Sequence, residues 1–307
     1  APTALVATAG DGQVSVAFTA PASNGGAAIT DYEYQLDGGT WTTASTTSSP
    51  VIITGLTNGT SYAIKLRAVN SAGVGAEAAV TMTPAAASNA PTDLATTPGD
   101  GKVSVAFTAP TSNGGAAITD YEYQLDGGTW TTASTTSSPV IITGLTNGTS
   151  YAIKLRAVNS AGDGAESAAV TSTPAATSDA PTALVATAGD GQVSVAFTAP
   201  ASNGGAAITD YEYQLDGGTW TTASTTSSPV IITGLTNGTS YAIKLRAVNS
   251  AGVGAEAAVT MTPAAASNAP TDLATTPGDG KVSVAFTAPT SNGGAAITDY
   301  EYQLDGG

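Results

Sequence analysis

The chain has 307 residues, of which 23 are acidic and only 8 are Lys or Arg, giving a net charge of −15 with no His and no Cys. That balance repels a nucleic-acid backbone and an anionic membrane surface; the missing cysteine excludes a disulfide framework without excluding secretion. Charged residues make up only 10%, which excludes a polyelectrolyte, and no apolar run approaches the ~20 residues that span a bilayer.

Residues n and n+179 are identical from Ala1/Ala180 to Gly128/Gly307, and Ser23–Gly73 recurs unchanged at Ser112–Gly162. The period of 89 or 90 residues exceeds that of solenoid repeats and suits a small independent domain. The expected units are 1–84, 90–174 and 180–263, with a partial fourth at 269–307. Between them lie Ala/Ser stretches with proline on both sides (83–92, 173–182, 262–271). Proline fixes φ, so these read as short, fairly stiff joints.

Within the first unit the candidate strands run in order. LVAT (5–8) opens. VSVAFTA (14–20) alternates apolar and polar and stops at Pro21; ITDYEYQL (29–36) alternates and stops at Asp37-Gly38-Gly39. WTTA (41–44) is short, and VIITGL (51–56) lies between Pro50 and Asn58-Gly59. YAIKLRAV (62–69) ends at Asn70 and Gly73, and EAAVTMT (77–83) at Pro84. Period-2 patterning with turn signals at this spacing predicts an all-β sandwich, with no helix. Alternation sends Val14, Val16, Phe18, Tyr32, Ile53, Ile64 and Leu66 inward, and Asp31, Glu33, Lys65 and Arg67 outward. Tyr32, Tyr34 and Tyr62 also face inward, so each hydroxyl is expected to need a partner.

Leu56-Thr57-Asn58-Gly59-Thr60-Ser61-Tyr62, followed by Ile64, Leu66, Ala68, Asn70 and Gly73, resembles the E–F corner and F strand of fibronectin type III domains. The resemblance covers every unit. It implies tandem seven-stranded, immunoglobulin-like sandwiches arranged end to end, at roughly 30–40 Å each from strands of ~3.4 Å per residue. It gives Tyr62, Tyr151 and Tyr241 the structural role of bonding back to the corner. It makes Phe18, Phe107 and Phe197 the core plugs, where the family usually carries Trp. Another immunoglobulin-like sandwich is disfavoured by the absent Cys…Trp…Cys pattern.

Several residues invite a functional reading beside a structural one. Asp31 and Glu33 share a strand face, as a metal or acid/base pair would; pairing with Lys65 and Arg67 across the sheet explains them better. Gly10-Asp11-Gly12 and Asp37-Gly38-Gly39 lack the spaced oxygen ligands of a calcium loop and read as turns. Trp41, Trp130 and Trp220 could stack on a sugar; folding over the core rim is the plainer expectation. Asn58, Asn147 and Asn237 head Asn-Gly-Thr sequons that are also good turns. The Thr/Ser run 42–49 reads either as an O-glycosylation site or as a polar edge and loop.

Without His or Cys, the commonest general base and the best nucleophile are missing. The chain therefore reads as no enzyme, with no catalytic residue, metal or cofactor. The expected function is structural: a stalk, adhesin spacer or filament segment of a long secreted or surface protein. Its expected partners are further copies of itself or the continuing chain. The alternatives are a multivalent carbohydrate- or protein-binding array, whose partners would be glycans or cell-surface proteins, and spacer domains of a larger secreted enzyme. The fourth unit carries strands A to C only, which cannot close a core, so a longer polypeptide is expected.

Overall fold

The computed structural model describes residues 1–304. The first module contains β1 (Thr3–Gly10), β2 (Gln13–Thr19), β3 (Ile29–Leu36), β4 (Trp41–Thr43), β5 (Val51–Thr54), β6 (Tyr62–Asn70), β7 (Gly73–Val74) and β8 (Ala78–Met82). They form two sheets, ordered β1-β2-β5 and β4-β3-β6-β7, with β8 also paired to β6. Every pairing is antiparallel. The same two-sheet arrangement recurs in the second and third modules, and no helix forms among the described residues.

The apolar face of each sheet closes on the other. Val14, Val16, Tyr32, Ile64 and Leu66 are fully buried, and Leu5, Ile29, Tyr34, Leu36, Tyr62 and Val80 pack around them. Phe18 lies on Tyr32 with ring centroids 4.5 Å apart and planes tilted by 58°, an edge-leaning contact that favours aromatic pairs. Phe107 on Tyr121 and Phe197 on Tyr211 repeat it at 4.5 Å.

Two register slips depart from plain alternation. In β1 the ladder shifts between Thr3 and Val6, at Ala4 with φ 50°. In β3 it shifts between Ile29 and Asp31. The register that β3 keeps with β6 from Asp31 onward corrects the expected pairing of charges. Glu33 faces Arg67, whereas Asp31 faces Val69 and Lys65 faces Gln35. Asp31 turns its carboxylate onto the backbone instead, accepting from Tyr32 N at 2.7 Å and Thr46 N at 3.0 Å. Lys65 reaches Glu77 at 2.8 Å on the other side of β6.

Among the described residues of the fourth segment, Thr271–Gly278 and Lys281–Thr287 pair as a hairpin. The third expected strand, from Ile297 to Leu304, does not form as a strand among the described residues. In the whole modules that strand is held by β6, and no described residue supplies its counterpart here. Leu273, Val282 and Phe286, inward by alternation, are consequently exposed. The end of this segment, 305–307, lies outside the described residues.

Candidate functional site: the joint between modules

The E–F corner begins as a turn within one module. Asn58 Oδ1 accepts from Gly12 N at 2.8 Å, and its Nδ2 donates to Asp11 Oδ1 at 2.8 Å. Tyr62 Oη accepts from Thr57 N at 3.0 Å, five residues back, and Tyr241 repeats this with Thr236 N. Tyr151 opens the equivalent strand of the second module. Asp37, head of the other candidate calcium loop, accepts from Ala63 N at 2.8 Å. Both aspartates thus serve turns. No group of three or more potential metal ligands occurs among the described residues.

The corner then holds the chain that leaves the module. Gly59 N donates to Pro84 O at 2.9 Å, and Ala85 beyond it is buried. From here the joint bonds to the second module: Ala86 N donates to Gly114 O at 2.8 Å, and Asn89 N to Ser112 O at 2.9 Å. Asn159 Nδ2 donates to Ala86 O at 2.8 Å and to Asn113 O at 2.7 Å. Ala165 N donates to Ser88 O at 3.0 Å. The joint is therefore stitched to the loop at Ser112–Gly114 and to the turn between Asn159 and Ala165 of the module that follows, with its backbone groups used as in a sheet.

Glycines make this approach possible. At φ 72° Gly114 adopts a left-handed conformation, and a Cβ there would overlap Ala86 O. A Cβ on Gly115 would lie 2.8 Å from Asn58 Cβ. The Asn-Gly pair that spells a sequon is thus the surface on which the next module's loop rests. The segment that enters the third module makes the same set: Ala176 N to Gly204 O at 2.8 Å, and Asn249 Nδ2 to Ala176 O at 2.9 Å. The bonding partners Asn159 and Asn249 were not singled out by sequence reasoning, which took Asn70 and its copies as strand ends. The signal was present in the unvarying Ser-Asn-Gly-Gly loop, whose second glycine is more than a two-residue turn requires.

The tryptophans lie elsewhere, on the face carrying β4. The Arg67 guanidinium sits 3.8 Å over the Trp41 ring while bonding Glu33 at 2.7 Å, and Arg246 over Trp220 matches it at 3.8 Å. In the second module Asp163 replaces the Val found at 74 and 253, and takes Arg156 at 2.8 Å; the guanidinium then stands 4.4 Å from the Trp130 ring. One ring face of each Trp is thus covered by its own module. The Thr/Ser run closes on itself, with Ser48 N donating to Thr46 Oγ1 at 3.2 Å.

The model of the fibronectin type III domain matches residues 1–83, 89–173 and 179–262. Among curated proteins the chain is similar to endoglucanase B of Cellulomonas fimi, 34% identical over 269 residues, covering 76% of this chain and 24% of that protein. It is also similar to exoglucanase B of the same species, 33% identical over 232 residues, covering 70% of this chain and 20% of that one. The chain thus spans a quarter or less of these relatives. Among solved structures, that of the chicken CNTN1 FN1–FN3 domains aligns with 85% of this chain and 98% of its own, at a TM-score of 0.39 and 18% identity.

Proposed function

Because the chain belongs to the fibronectin type III family, we propose that it is a non-catalytic spacer: modules held at set joints within a longer extracellular polypeptide. The observation that carries this reading is the joint itself. A flexible tether leaves its backbone to water. Here Ala86 and Asn89 donate, and Ala86 and Ser88 accept, in bonds to the following module. The relatives support the setting, since proteins named endoglucanase and exoglucanase carry the matched stretch as a minor part of their length. A stalk, an adhesin spacer and a filament segment share this mechanical role and differ in what is attached.

Paired spin labels test the mechanics within the first two modules. The chain has no native cysteine, so Thr42→Cys with Thr131→Cys labels two exposed, equivalent sites. The expected result is one narrow distance distribution, broadened by Asn159→Ala. A distribution equally broad with and without Asn159 would contradict a set joint. Titration calorimetry with glucan oligosaccharides should give no saturable heat; saturable heat lost in Trp41→Ala would favour a binding array.

A further inference from the structure

Asn-Gly pairs occur in two settings in each whole module, one at the E–F corner and one in the Ser-Asn-Gly-Gly loop. At the corner both reactive groups of the pair are held. Asn147 Oδ1 accepts from Gly101 N at 2.9 Å, its Nδ2 donates to Asp100 Oδ1 at 2.8 Å, and Gly148 N donates to Pro174 O at 2.9 Å. Asn58 and Asn237 are held by the equivalent bonds.

In the loop the same dipeptide is arranged differently. Asn113 is exposed, and its Nδ2 bonds to none of the described residues. Its Oδ1 accepts from Gly115 N at 3.0 Å, and Gly114 N donates to the Ser112 hydroxyl at 3.1 Å, not to a backbone carbonyl. Asn203 repeats both bonds at 3.0 and 3.1 Å. The Gly115 N–H polarises the carboxamide and would stabilise negative charge building on its oxygen. The leaving amine faces solvent, and the neighbouring backbone nitrogen is tied only to a side chain.

We propose that Asn113–Gly114 and Asn203–Gly204 are sites of self-modification, converting to isoaspartate through a succinimide, and that conversion releases the joint seated on each. Gly114 N loses its proton and bonds to Asn113 Cγ; the Cγ–Nδ2 bond breaks, and Nδ2 leaves as ammonia with that proton. Water then adds to the former Asn113 carbonyl carbon and breaks its bond to Gly114 N. The chain now runs through Cβ and Cγ, one atom longer, and the Asn113 carbonyl has become a carboxylate. That carbonyl is the acceptor of Asn159 Nδ2 at 2.7 Å, and Gly114 O, the next along, receives Ala86 N at 2.8 Å. The joint has no slack for the added atom, since even a Cβ on Gly114 would overlap Ala86 O. The release, unlike the modification, rests on reading the joint as set.

The test is incubation of the full chain in mildly alkaline ¹⁸O-water, then digestion in ordinary water and fragmentation mass spectrometry. Asn113 and Asn147 lie between Lys102 and Lys154 on one tryptic peptide, so each serves as the other's control. Label should enter Asn113, as isoaspartate, at least about tenfold faster than Asn147, with the contrast lost in the denatured chain. Equal rates in the folded chain, no label at Asn113, or a contrast that survives denaturation overturns the site. In the same incubated chains, the fraction with fast Ala165 amide exchange should match the fraction converted at Asn113. Asn113→Ser removes the carboxamide while its hydroxyl can take the Gly115 N–H, so Ala165 should there stay protected. Ala165 protected in converted chains overturns the release alone. Ala165 unprotected before incubation overturns the set joint and the release with it, and leaves the site standing.

Discussion

At the residue scale, Tyr32 and Tyr62 show that two inward tyrosines of one module are held in opposite ways. Tyr62 accepts the Thr57 N–H at the corner, whereas Tyr32 is fully buried and its hydroxyl has no partner among the described residues. The expectation that every inward hydroxyl finds a partner therefore fails at Tyr32: its ring is needed beneath Phe18, and the oxygen comes with it. Tyr62→Phe should lower stability by about 1 kcal/mol, and Tyr32→Phe should leave it unchanged or raise it by about 1 kcal/mol. Chemical denaturation of the two variants checks this; equal losses would contradict the contrast. Burial also raises the phenols of Tyr32, Tyr121 and Tyr211 above their ordinary value of 10.0. A raised folded value means that the unfolded chain ionises first. The stability due to these groups is complete below about pH 10 and is lost as pH climbs through the folded values. The alkaline limb of a stability profile should weaken in Tyr32→Phe.

At the scale of the element, the last strand of the second module carries the clearest departure from its siblings. One residue, Ser167, is added relative to the first module, and only Val170–Ser172 remains a strand where the first module has Ala78–Met82. The register beyond it is kept: Ile153 faces Val170 as Ile64 faces Val80. The extra residue is absorbed as a bulge. Ser167 N donates to Leu155 O at 2.8 Å, and its Oγ accepts from Leu155 N at 3.0 Å in place of a ladder carbonyl. Ser167→Ala should therefore cost about 1–3 kcal/mol by stranding a buried N–H. Deleting Ser167 should cost less, because it restores the first module's ladder. Thermal melts that rank the deletion worse would contradict the bulge.

That element also marks where the sequence is legible. Alternation in VSVAFT and YAIKLRAV announces strands because each residue's side is fixed by period 2. The corner is legible because its bond spans five residues, from Thr57 to Tyr62. The partner of Asp31 is not, since alternation fixes a residue's face but not the register, and the register that sets Glu33 opposite Arg67 sets Asp31 opposite Val69. The joint is not legible either. Asn159 reaches Ala86 across 73 residues, and Gly114 looks like turn punctuation until the carbonyl packed against it is known.

At the scale of the whole molecule, near-identical neighbours at net charge −15 pose two opposed tendencies. Like modules in sequence invite strand exchange during folding, and common charge opposes contact between separate chains at low salt. Set joints bear on the first, because a module seated on its neighbour's loop presents fewer free backbone groups. The central claim is thus that the joint belongs to the fold. Backbone ¹⁵N relaxation of the full chain, labelled segmentally over residues 84–91, tests it most directly. The account predicts order parameters of about 0.85 at Ala86 and Asn89, equal to those of the flanking strands; values below about 0.6, with the strands rigid, would make the joint a tether and contradict it.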